Sequence, residues 1–143
     1  MKSIEILTLA EAKKIIEGAA KKAEEINRPM SIAVVDAGGH LLAQVRMDGA
    51  TIGSIDICLN KAFTSKAFNM STRDLGNNSQ PGQQFYGIHV SNHERIMIFA
   101  GGVPIKHDRE VIGAIGVSGG SGDEDQIVAE AGVKTFEDNF LKK

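Results

Sequence analysis

Apolar and polar positions alternate with two different periods along this chain, and each change of period marks a new element. Leu9, Ala12, Ile15, Ile16, Ala19, Ala23 and Ile26 recur at three- and four-residue intervals, the stripe of a helix that buries one face. Thr8 and Glu11 form a capping box at its start, and Asn27-Arg28-Pro29 ends it. The period then shortens. Ser31-Ile32-Ala33-Val34-Val35-Asp36 and residues 40–47 flank Gly38-Gly39, which predicts a hairpin whose first strand, apolar on both faces, is central and covered. Helical spacing returns over residues 54–69, where Ile55, Cys58, Leu59, Ala62, Phe63, Ala67 and Phe68 are apolar. Ser71-x-x-Asp74 opens another helix, and the Gly/Asn/Pro-rich residues 76–82 are a loop. Residues 83–95 show no period, and residues 95–100 read as a short strand. Two β-branched runs, residues 99–105 and 111–120, then flank His107-Asp108-Arg109-Glu110 as a second hairpin. Ser121 and Glu124 form another capping box, opening a final helix with Ile127, Val128, Ala131, Phe136 and Phe140.

The order is helix, two strands, helices, three strands, helix. Strands joined by hairpins predict an α+β domain with an antiparallel sheet of about five strands and helices packed on it. Glycines interrupt both runs of the second hairpin, at Gly101, Gly102, Gly113 and Gly116. A strand gives up side chains in this way at a bulge, or where a ligand or another backbone approaches closely.

The 143 residues make one domain, and a net charge of −2 gives no basic excess for nucleic acid. No apolar run approaches the ~18 residues that span a bilayer. Glu5 and Glu11 stand where a secretory signal needs an apolar stretch, and the lone Cys58 precludes an internal disulfide. The chain is therefore expected in the cytoplasm. Cys58, between Ile57 and Leu59 on a helix, reads as a buried, inert thiol.

The polar clusters have competing readings. Asp36 at the hairpin mouth suits an Asx-turn, and less readily a general base. A two-residue turn sets Arg46 opposite Ser31, on the other face from Asp36, whereas a three-residue loop puts both on one face. Lys61 lies on the flank of its helix between the apolar row and solvent. There it is either solvated or salt-bridged, or it meets a ligand anion beside the small Ala62, Ser65 and Ala67. His89 and His93 have the spacing of a metal pair on a helix, but their segment lacks helical periodicity, so they read as loop histidines at a surface or subunit contact. His40 and His107 border turns. Residues 118–122 precede a helix whose first turn holds Asp123, Glu124 and Asp125, charges that repel a phosphate.

Five segments together carry a resemblance: residues 32–41, Arg46-Met47-Asp48-Gly49-Ala50, Lys61-Ala62-Phe63-Thr64, residues 101–105 and residues 113–120. In sequence and order they resemble the haem-binding and so-called haem-degrading domain family of HbpS-like and GlcG-like proteins and the C-terminal domain of PduO-type proteins. The resemblance implies a profilin-like sandwich, a five-stranded antiparallel sheet between helices, and self-assembly into dimers or larger rings. It implies a small-molecule ligand, haem or another tetrapyrrole such as a corrinoid, bound near a subunit contact. On that reading Asp36, Arg46, Lys61, Gly101 and Gly102 are the candidate ligand-binding residues, and His40 is the candidate for the haem iron. A second reading makes the protein an enzyme acting on a small hydroxy acid or aldehyde, with Asp36 as base and Arg46 or Lys61 holding a carboxylate. A third is a structural oligomer whose glycine strands pack on a neighbour's backbone.

Overall fold

The computed structural model describes residues 1–141. Its helices start where the capping residues stand. Thr8 accepts the Glu11 amide while the Glu11 carboxylate accepts the Thr8 amide, and Ser121 and Glu124 repeat the exchange. They open α1 (Leu9–Glu25) and α4 (Gly122–Phe136). Between them lie α2 (Gly53–Phe68) and the short α3 (Thr72–Asn77), which Ser71 caps.

Strands β1 (Ser31–Asp36), β2 (Leu41–Arg46), β3 (Gly102–His107) and β4 (Glu110–Ser118) form one antiparallel sheet in the order β2-β1-β4-β3. The α+β class is as expected, with helices on both faces. The sheet, however, has four strands and not five. Residues 95–100 do not join it, because side chains from the helices take backbone groups that a ladder would need. Thr64 Oγ1 accepts the Met97 amide at 3.0 Å, and its single proton is directed to the Asn60 carbonyl at 2.7 Å with the Arg95 carbonyl 3.3 Å away. Just after this stretch, where the chain enters β3, Gln126 accepts the Gly101 amide at 3.1 Å and Thr72 that of Gly102 at 2.8 Å.

Central β1 is buried through Val35. Ile32 and Val34 belong to a core with Ile15, Ile115, Val117 and Val128, under α1 and α4. Ala33 and Val35 face the other way, against Cys58 and Ala62 of α2. Small residues let α2 lie very close to the sheet: a Cβ on Gly116 would collide with the Cys58 carbonyl and the Ala62 amide. The broken apolar run thus makes room for a backbone, and that backbone is the chain's own.

The first hairpin combines both registers considered from sequence. The Asp36 amide donates to the His40 carbonyl at 2.9 Å, leaving residues 37–39 as the loop. Val35 pairs with Leu41 but Val34 with Ala43, and this bulge restores Ser31 opposite Arg46. Asp36 and Arg46 therefore stand at opposite ends of β1, about 16 Å apart at about 3.3 Å per residue.

Candidate functional site

Lys61, Gly101 and Gly102 come together, but in the interior. Lys61, expected on the flank of α2, is only 2% exposed. Its Nζ donates to the Val117 carbonyl and to Asp125 Oδ2, each at 2.9 Å, while Asp125 Oδ1 accepts the Gly120 amide at 2.9 Å. Burial raises the pKa of the Asp125 carboxyl against the pull of Lys61. A lysine this deep is tolerated only when partnered. Gly101, at φ +122°, lies against the pair: a Cβ there would stand 2.5 Å from the Val117 carbonyl and 2.9 Å from Lys61 Nζ. A Cβ on Gly102 would meet Thr72 Cγ2 at 2.5 Å and the Lys61 carbonyl at 2.6 Å. The three residues fasten α2, the end of β4, α4 and the start of β3 to one another.

Asp36 acts on its own turn. Its Oδ1 accepts the amides of Gly38 at 2.9 Å and His40 at 3.0 Å, the bonds of an Asx-turn. His40 is exposed on that turn, and Arg46 is exposed at the far end of β2. Cys58 is buried, and burial pushes its thiol up to about 11, as suits an inert side chain. His107 borders its turn and hydrogen-bonds Glu5 at 2.5 Å, which raises its pKa.

An apolar concave surface comes instead from the stretch without periodicity. His89, Val90, Glu94, Ile96, Met97, Ile98 and Phe99 line a hollow of about 410 Å³. Ile96 is buried, while Val90 (66%) and Phe99 (58%) are open to the outside, so the walls are apolar and accessible. From behind, the segment is held by Thr64, Thr72 and Gln126. Beside it, the Arg95 guanidinium lies 3.8 Å over the Phe63 ring, and Phe63 also underlies Gly39 of the first hairpin. Asn92, His93 and Glu94 all have left-handed φ, +53°, +59° and +61°. Left-handed helical geometry costs non-glycine residues about 1–2 kcal/mol each, so the anchors around this turn impose its shape. His89 and Glu94 are the ionisable side chains of the lining, and the His89 ring has no hydrogen-bond partner among the described residues. The sequence held one signal for this site: a long irregular stretch inside a compact domain, which tends to be functional.

The chain is similar to known proteins over nearly its whole length. Residues 7–134 match the model of a family described as haem degrading protein HbpS-like. An uncharacterized 15.0 kDa protein of Citrobacter freundii, encoded in the dhaT-dhaS intergenic region, is 44% identical, with 93% of this chain and 94% of that protein covered. The crystal structure of Klebsiella pneumoniae protein ORFY superposes with a TM-score of 0.93 at 40% identity, covering 96% of this chain and 94% of that one. That of a PduOC–haem complex superposes with a TM-score of 0.86 at 28% identity, covering 90% and 94%. With its fold, its segment order and residues 7–134 all matched, the chain belongs to the HbpS-like family.

Proposed function

We propose that the protein binds haem, or a related tetrapyrrole, in the hollow of residues 89–99, next to a contact between subunits. The observation that carries this reading is an apolar, open hollow with an imidazole in its wall, in a chain that superposes on a relative solved with haem. The residues present fit the group. Val90, Ile96, Met97, Ile98 and Phe99 offer aliphatic and aromatic walls for a flat macrocycle and keep water from its face. The cation of Arg95, next to this lining in sequence, is suited to propionate carboxylates. Bound haem supplies an iron centre whose behaviour is set by its axial ligand and by the polarity around it. The outward faces of Tyr86, Val90 and Phe99 leave one side of a bound ring uncovered, and a second copy of the chain would cover it. In this reading the protein is a cytoplasmic accessory protein and a homo-oligomer.

Little supports the hydroxy-acid reading, because Asp36 satisfies its own turn and Arg46 stands at the other end of β1. The structural-oligomer reading loses its motive too, since Gly102 and Gly116 already receive the backbone of α2.

The test is a titration of the purified apo-protein with haemin, followed at the Soret band and repeated with cobalamin at its own absorbance bands. A sharp Soret shift saturating at one haem per subunit or per dimer is expected. A broad, unsaturating Soret absorbance would overturn the haem reading, and saturation by cobalamin alone would replace haem with a corrinoid.

A further inference from the structure

We infer that His89 is the side chain that ligates the iron in this hollow, an inference that rests on the haem reading above. The sequence holds four histidines. Only one of them, His89, lines the hollow, and its ring nitrogens are uncommitted among the described residues. His107 is engaged by Glu5 at the far end of the β3–β4 hairpin. His40 belongs to the β1–β2 turn, and His93 sits within the left-handed turn; neither lines the hollow. His89 itself lies in the short helical turn Ile88–Val90, between the exposed Tyr86 and Val90. An iron ligand needs a free imidazole nitrogen, an apolar wall beside it and an opening to the outside. His89 meets all three conditions.

The left-handed turn Asn92–Glu94 brings a carboxylate, that of Glu94, into the same lining.

Haemin is titrated into the wild-type chain and into His89→Ala, His40→Ala and Glu94→Gln, with melting temperatures recorded for each variant. His89→Ala should keep its fold, bind haemin at least roughly tenfold more weakly and lose the wild-type Soret position. Added imidazole should restore that position. His40→Ala should titrate like the wild type, and Glu94→Gln should keep the His89-ligated spectrum. A His89→Ala protein that folds, saturates and absorbs like the wild type would overturn the assignment while leaving haem binding standing. A wild-type chain that never saturates would remove the haem reading and the ligand together.

Discussion

Lys61 carries its Nζ to a place 2% exposed, where two oxygens at 2.9 Å receive it. Such a pair contributes little beyond a well-packed apolar substitute, but removing one member leaves the other charged and dry. Its geometry does specify an arrangement: the Asp125 carboxylate must lie where Nζ and the Gly120 amide can both reach it. Asp36 works in the same way at smaller scale, holding two amides of its own loop. His107 is the surface counterpart. Its hydrogen bond to Glu5 raises its pKa above the ordinary 6.5. A basic group raised on folding contributes stability that is fully present below its unfolded pKa and fades as pH rises through the folded one. In a proton NMR titration the His107 ring should therefore have its midpoint above 6.5. Replacing Glu5 with Gln should bring that midpoint down. An unchanged midpoint would mean that the Glu5 contact does not persist in solution.

Elements that satisfy their own ends were legible in the sequence. The capping boxes of α1 and α4 and the Ser71 cap stand within three residues of what they bond. The hairpins were legible from their turns, although the bulge that sets the β1–β2 register was not. Residues 95–100 misled because Ile96, Met97, Ile98 and Phe99 have the makeup of a strand, whereas Thr64, Thr72 and Gln126, which hold this stretch and its continuation into β3, come from α2, α3 and α4, far along the chain. For the same reason the burial of Lys61 was hidden: Asp125 looked like a dipole-complementing residue of a helix start, and only the fold brings it to Nζ. The hollow was invisible to periodicity because it has none. At the level of the element, Gly116 makes the sharper test. Gly116→Ala should cost about 1–3 kcal/mol by overpacking α2 against β4. Gly53→Ala, where an added Cβ meets nothing within 4 Å, should be neutral or mildly stabilising in the same urea denaturation series. Equal effects at the two sites would contradict the close seating of α2.

At the scale of the molecule, the sheet serves as a platform with two unlike layers. One face carries the larger core under α1 and α4, and the other holds α2 against small residues. The described helices include none long and apolar enough to cross a membrane. The irregular stretch lies outside this frame and is joined to it by a handful of side-chain bonds. That attachment has a consequence for how the molecule breathes. Amides of strands exchange with solvent only when a ladder opens, whereas those of Met97, Gly101 and Gly102 are released when Thr64, Gln126 and Thr72 let go. Deuterium uptake should find these three protected despite lying outside the sheet or at its margin, yet opening together at a lower free energy than the amides of β1. Lys61→Ala, by loosening the knot beneath Gly101, should speed their exchange while leaving that of Ile32 and Val34 slow relative to theirs. The wall of the hollow would then be a separately opening unit, able to part from the sheet and admit a broad, flat guest without unfolding the domain.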